Sequence, residues 1–313
     1  MDLQDQINLE TFRSRKCTKG VSWSTRYLKP IEKNFLHKVK RCLCSFSNEY
    51  GKIRAAYFKG VFKMANGSSL YKGQYHIELR DVDFTKKLKL SALFSLFQDI
   101  ASLAAEDLGY GIETLEKKYK VAWILTRIRV DILRHPTWDE NITIETWPLQ
   151  PSKIDFDRDF LVKDHTGAVI IKAASKWVVM GLNDRKIKRT ESINIHYPEN
   201  RTERAIEGKF GKFKDFGGLE PAYQKVIGYS DIDFNGHLNN SKYVDYIMDC
   251  FLPDFHKRHP IHTIEINFNQ EALPGDSITL YKDISKMDEH ELYVEGINQT
   301  DHHTIFKSRI TIH

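Results

Sequence analysis

The sequence predicts an α+β protein built of two tandem units, each an apolar helix wrapped by an antiparallel sheet. Three observations lead there. Asp81-Val82-Asp83-Phe84 recurs as Asp231-Ile232-Asp233-Phe234, 150 positions on. The register then holds without a gap through Leu88 and Leu238, Leu93 and Tyr243, Leu96 and Tyr246, Phe97 and Ile247, and Asp99 and Asp249. Each copy runs from its D-x-D-F loop into a segment with apolar residues at helical spacing. Several strand-like runs follow each of these segments. A helix and a one-sided sheet each expose an apolar face that the other can cover, so two copies imply two such units side by side, with one sheet extending into the other.

In the front half, a short strand and the D-x-D-F loop lead into a helix over 91–108, whose apolar residues are Leu93, Leu96, Phe97, Ile100, Leu103 and Leu108. Strands are expected at 123–132, 142–147, 154–162 and 169–180. In the back half, Asn239, Asn240 and Ser241 are all residue types that begin helices. Tyr243, Tyr246, Ile247, Cys250 and Phe251 then share one face. Strands follow at 262–268, 277–281, 291–297 and 304–312. Alternation supports the first of these, with Ile264, Ile266 and Phe268 on one side and Glu265, Asn267 and Asn269 on the other. Trp123, Trp138, Trp147 and Trp177 read as strand aromatics in the core or at its rim. The expected divisions are 1–69 as a basic extension, 70–200 as the first unit, 201–222 as a linker and 223–313 as the second unit.

Composition sets outer limits. A chain of 313 residues with 41% hydrophobic content can bury two small cores or one fused core. No run is apolar enough for a membrane-spanning helix, and no nucleic-acid partner is expected. Four cysteines (Cys17, Cys42, Cys44 and Cys250) without a repeating framework point to a reducing compartment, read here as the cytoplasm. His256, His259 and His262 are spaced as metal ligands could be. They straddle a helix end and Pro260 and lack cysteine or acid partners, so no metal and no cofactor is expected. Phosphate-binding loops and nucleophile elbows are absent from the sequence.

The chemistry concentrates in Tyr229-Ser230-Asp231-Ile232-Asp233-Phe234-Asn235-Gly236-His237-Leu238. Within five residues this stretch supplies a carboxylate (Asp233), a carboxamide (Asn235) and an imidazole (His237). The helix begins just beyond, and the backbone N–H groups of Asn240 and Ser241 at its start could stabilise developing negative charge. A base or nucleophile, an orienting amide and a proton carrier beside such a helix end suit acyl transfer. Taken alone, the same residues would also make an ordinary Asp/Asn/Gly turn. The repeat favours chemistry, because the front copy carries Thr85 and Lys87 where the back copy has Asn235 and His237. One reactive site per chain is therefore expected, in the back half. The front half is left to supply a cavity for a lipid-like acyl chain, with Leu93, Leu96, Phe97 and Ile100 as the expected binding residues.

Asp233-x-Asn235-x-His237, followed by Leu238-Asn239-Asn240-x-Lys242-Tyr243, resembles the signature of the acyl-acyl-carrier-protein thioesterases of bacteria and plant plastids. The resemblance covers roughly residues 72–313 and implies a double hotdog fold, in which each half is a helix wrapped by an antiparallel sheet. A second element, Asn269-Gln270-Glu271-Ala272-Leu273-Pro274-Gly275-Asp276, resembles the family's acid-bearing segment. The resemblance thus implies Asp233, Asn235, His237 and Glu271 as the catalytic set, with Asp233 as nucleophile or as the base that activates water. Plant members carry a cysteine after the acid. Ala272 stands there in this chain and excludes a cysteine mechanism at that position. The implied reaction is hydrolysis of fatty acyl-acyl-carrier protein to free fatty acid, with the acylated carrier as partner and a homodimer left open. An acyl-CoA thioesterase is the near alternative. A hotdog enoyl hydratase or dehydratase is further off, because the hydratase motif places its histidine three residues after the asparagine, whereas His237 follows Asn235 by two. A non-catalytic acyl-binding regulator would need neither His237 nor Glu271.

Residues 1–69 match nothing in the repeat and hold 14 Lys/Arg against 5 Asp/Glu, whereas the remainder holds 33 against 37. An acidic carrier would therefore dock on a local basic patch rather than on a basic body. Asp2, Asp5 and Glu10 argue against a targeting peptide, and a carrier-binding arm is one reading of the charge block. The favoured reading is an over-extended start, with Met64 as initiator and the preceding segment disordered or not made.

Overall fold

The computed structural model describes residues 69–199, 201–208, 210–211, 213 and 217–313. The reading of residues 1–68 as an extension, and of Met64 as a start, lies outside the described residues.

The two halves follow the same plan. In the first, β1 (Tyr71–His76) leads through a single 3-10 turn into α1 (Leu90–Asp107), and four strands follow: β2 (Val121–Ile132), β3 (Asn141–Pro148), β4 (Phe156–Lys163) and β5 (Val169–Gly181). A two-residue strand, β6 (Ile187–Lys188), pairs with β5. In the second half, β7 (Glu220–Val226) leads through an equivalent turn to α2 (Asn240–Met248) and the short helix α3 (Pro253–Arg258). The strands β8 (Ile261–Phe268), β9 (Ser277–Asp283), β10 (Glu291–Asn298) and β11 (Thr304–Ile312) complete it. Strand β7 begins inside the span expected to be linker. The expected long strands differ from the observed ones by no more than two residues at either end, because each is marked by β-branched and aromatic runs between turn residues.

All the strands join one antiparallel sheet in the order β1-β3-β4-β5-β2-β8-β11-β10-β9-β7. The order reads the same from either edge once β1 is matched with β7, β3 with β9, β4 with β10, β5 with β11 and β2 with β8. The halves meet where β2 pairs with β8, Arg127 opposite Asn267 and Asp131 opposite Thr263. The expectation that one sheet extends into the other describes this joint. Closing β2 onto β8 removes two exposed strand edges.

The helices α1 and α2 pack on one another under the sheet, and a single apolar core runs through both halves. The stripe Leu93, Phe94, Phe97 and Ile100 enters that core from α1, and Tyr243, Val244, Tyr246 and Ile247 enter it from α2. Phe97 stacks at a tilt on Phe160, with ring centroids 4.7 Å apart. A buried cluster braces the joint on the opposite face. Glu265 receives Arg127 at 2.6 Å and Arg309 at 2.9 Å, and the Arg127 guanidinium lies over the rings of Phe210 and Phe213.

Candidate active site

The repeated aspartate is first a loop builder. Asp233 Oδ1 accepts the backbone N–H of Asn235 at 2.8 Å and of His237 at 3.2 Å, while the chain closes through Asp233 N–H to the His237 carbonyl at 2.8 Å. Gly236 takes φ +81°, a left-handed conformation that costs glycine nothing. Asp83 in the front half does the same work, its Oδ1 accepting the N–H groups of Thr85 at 2.7 Å and Lys87 at 3.3 Å. The loop is therefore structural in both copies, and only what hangs from it differs. In the back copy the second oxygen, Oδ2, faces the Asn235 carboxamide, with Nδ2 at 3.4 Å. In the front copy the Thr85 hydroxyl folds back onto Oδ1 instead.

Glu271 reaches the same place by another route. Continued alternation from Glu265, Asn267 and Asn269 would put Glu271 on the polar face of the same strand. Strand β8 in fact ends at Phe268, and the chain turns away as the N–H groups of Asn269 and Gln270 both bond the Ile305 carbonyl. Strand parity no longer applies beyond that bend. Leu238 N–H bonds the Ala272 carbonyl at 2.9 Å and ties the two segments together. His237 Nε2 then lies 3.6 Å from Glu271 Oε2, each side chain about one-quarter exposed, at 25% and 27%. Arg185, from the turn between β5 and β6, also pairs with Glu271 Oε2. Nothing in its local sequence marks Arg185 as part of a site.

In the front copy, Leu88 N–H bonds Pro136 in the way that Leu238 bonds Ala272, so His135 stands where Glu271 stands. Burial pushes the His135 imidazole below its ordinary value; the Ile261 carbonyl opposes this and the Lys87 charge adds to it. Lysine and a half-buried histidine with a lowered pKa replace the imidazole–carboxylate pair. Of the two loops, only the back one opens onto the cavity.

That cavity, about 720 Å³, has Asp233, Asn235, His237, Asn240, Gln270 and Glu271 in its wall. It runs into the front half past Trp123 and Trp177 to a face of α1 formed by Gln98, Ala101, Ser102 and Ala105. The expected binding residues are corrected here. Leu93, Phe97 and Ile100 are buried in the core, Leu96 packs against it, and none of the four lines the cavity. The physical reason is that the most apolar stripe of a helix goes to the core, whereas a cavity forms where side chains are too small to fill the space. Asp99 also lines the cavity, and burial pushes its carboxyl above the usual range.

The expected oxyanion donors divide as well. Asn239 caps α2, its Oδ1 accepting the Ser241 N–H at 2.9 Å and the Ser241 hydroxyl at 3.0 Å. The cap consumes the Ser241 donor, and Ser241 does not line the cavity. Asn240 does. Of the three spaced histidines, His256 Nε2 lies at the Met248 carbonyl and His262 Nδ1 at the Ile132 carbonyl. Among the described residues no His/Cys/Asp/Glu group is arranged to hold a metal ion, and no helix is long and apolar enough to cross a membrane.

Two helix-wrapped half-sheets fused edge to edge, with one polar cluster at the mouth of an internal cavity, define a double hotdog protein. Residues 68–194 match the acyl-ACP thioesterase N-terminal domain and residues 223–310 the acyl-ACP thioesterase C-terminal domain. The chain belongs to the acyl-ACP thioesterase family. It is 27% identical over 232 residues to oleoyl-acyl carrier protein thioesterase 2, chloroplastic, of Arabidopsis thaliana, covering 69% of this chain and 63% of that protein. The chain thus spans somewhat under two-thirds of the length of the curated relatives it matches. Among solved structures, an acyl-ACP thioesterase from Bacteroides thetaiotaomicron superposes with a TM-score of 0.72 at 27% identity, covering 80% of this chain and all of the other. A 12:0-ACP thioesterase from Umbellularia californica shares the fold, with a TM-score of 0.69 at 19% identity over 80% of this chain and 99% of its own.

Proposed function

We propose that this protein hydrolyses the thioester of a fatty acyl-acyl-carrier protein, releasing free fatty acid and carrier in fatty acid biosynthesis. The observation that carries the reading is one continuous cavity that joins the small-residue face of α1 to Asp233, Asn235, His237 and Glu271. A tail held along α1 would present its thioester carbonyl at that cluster.

The chemistry follows from what each group has left to offer. Asp233 Oδ1 is committed to two backbone donors, so Oδ2 is the oxygen that attacks the carbonyl or takes the proton of an attacking water. Asn235, against Oδ2, orients that nucleophile. The Asn240 N–H, at the start of α2, donates to the developing oxyanion. His237 carries a proton to the departing thiolate, and Glu271 holds the imidazole as its charge rises, or returns the proton from water. Arg185 fixes the Glu271 carboxylate from the front half. A thiolate leaves readily, so the set needs no metal to activate the leaving group.

Thiol release from acyl-carrier thioesters, compared with acyl-CoA and enoyl thioesters, tests the reading. Carrier substrates should turn over fastest. Preference for acyl-CoA would move the activity to that substrate, consumption of enoyl groups without thiol would make the protein a hydratase, and no turnover would make it a binder. The reducing compartment inferred from the cysteines fits the cytoplasm. The Arabidopsis relative is named as chloroplastic, and fractionation of the native protein decides between the two.

A further inference from the structure

Strand β4 carries an inconsistency that its own alternation makes visible. Phe156, Arg158 and Phe160 fall on one face, the face on which Phe160 meets Phe97 of α1. Arg158 is thus a cation set between two aromatic residues on the inner side of the sheet. It is 9% exposed and lines the cavity. Its Nη1 donates to Thr146 Oγ1 at 3.3 Å. A guanidinium has five N–H donors, and among the described residues no carboxylate pairs with Arg158. By contrast, the neighbouring Asp157, which also borders the cavity, and Asp159 are taken by Arg204 and Lys176. Tyr197, whose hydroxyl feels the Arg158 charge, lines the same cavity.

An unpaired buried cation is costly, and replacing it with an apolar side chain would remove the cost. A plain hydrocarbon tail packed into the cavity would leave the guanidinium against methylenes. A carboxylate there would accept two parallel N–H bonds from the fork. The sheet register sets the distance. Arg158 lies opposite Ser175, Ser175 opposite Ile128, and Ile128 opposite Ile266. That row crosses three strand spacings, about 14 Å, from the strand that delivers Glu271. The cation therefore sits far from the reacting carbonyl, where the end of an acyl tail would lie.

We propose that the cavity takes acyl chains bearing a carboxylate at or near the ω end, and that Arg158, assisted by the Tyr197 hydroxyl, is the residue that selects them. The proposal rests on the thioesterase reading above and names its substrate class.

The test compares carrier thioesters of plain fatty acids with those of ω-carboxy acids across matched chain lengths. At the best length, kcat/KM for the ω-carboxy substrate should exceed that of the plain one tenfold or more. In Arg158→Met the ratio should fall by at least that factor, with Arg158→Lys in between and Tyr197→Phe showing a smaller loss. A second readout avoids catalysis. A free α,ω-dicarboxylic acid should raise the Tm of the wild-type protein more than the monocarboxylic acid of equal length, and the gap should vanish in Arg158→Met. Should that variant fail to fold, the two ligands on the wild-type protein still decide. Hydrolysis of plain chains with no preference for the ω-carboxylate overturns this proposal and leaves the thioesterase reading intact. A dicarboxylate-specific Tm shift without turnover of any thioester overturns the thioesterase reading and keeps the subsite.

Discussion

The pseudo-symmetry of the two loops permits a paired experiment on Asp233 and Asp83. Asparagine keeps a carbonyl oxygen where Asp233 Oδ1 accepts the Asn235 and His237 N–H groups, but puts an NH2 group in place of Oδ2. Asp233→Asn should therefore preserve the loop and remove the chemistry. The structural cost is that of turning two charge-assisted bonds into neutral ones, on the order of 1–2 kcal/mol. The catalytic cost should be a hundredfold or more in turnover, about 3 kcal/mol of lost transition-state stabilisation. Asp83→Asn changes the same bonds, those from Thr85 and Lys87, and should lower stability by a similar amount with turnover nearly unchanged. Thermal unfolding measures the first quantity in both variants, and single-turnover thiol release from an acyl-carrier thioester measures the second. The reasoning is refuted if Asp233→Asn keeps turnover within a few-fold of wild type, or if Asp83→Asn loses as much as Asp233→Asn does.

The correction of the acyl-binding residues predicts that Phe97→Ala, 2% exposed and stacked on Phe160, costs roughly 3–5 kcal/mol of stability with no change in product chain length. Ser102→Leu, on the cavity face of α1, should shorten the preferred chain; product profiles beside Tm values separate the two effects. Gly236→Ala should destabilise by roughly 1–2 kcal/mol from backbone strain alone, since an added Cβ meets nothing within 4 Å; a much larger drop in urea melts would mean a steric clash instead. Asp231 supplies a pH dependence. Burial by itself pushes its carboxyl up, but the Gly228 N–H and Lys225 at 3.1 Å hold it below the ordinary 3.8. Its stabilisation is therefore present above that value and lost as pH falls through the lowered folded value. Asp231→Asn should be less stable at neutral pH and lose less on acidification below about pH 4, read as Tm against pH.

The sequence alone determined what depends on local pattern and on the repeat. D-x-D-F, the helical stripes and the alternating strands are short-range signals, and they set the two helix-wrapped units, their strands and the loop that carries Asp233, Asn235 and His237. Even Arg158 was legible in principle, as a cation on the apolar parity of its strand. Tertiary structure decided whatever depends on how elements meet. Only the bend after Phe268 turns Glu271 toward His237. Only the fold of the front half brings Arg185 to that carboxylate across 86 positions of sequence. The division of α1 into a core stripe and a cavity face was likewise hidden, because periodicity reveals which side of a helix is apolar and is silent on where packing leaves space. The space lies against Ala101, Ser102 and Ala105, whose side chains are too small to fill it, while Leu93, Phe97 and Ile100 close the core.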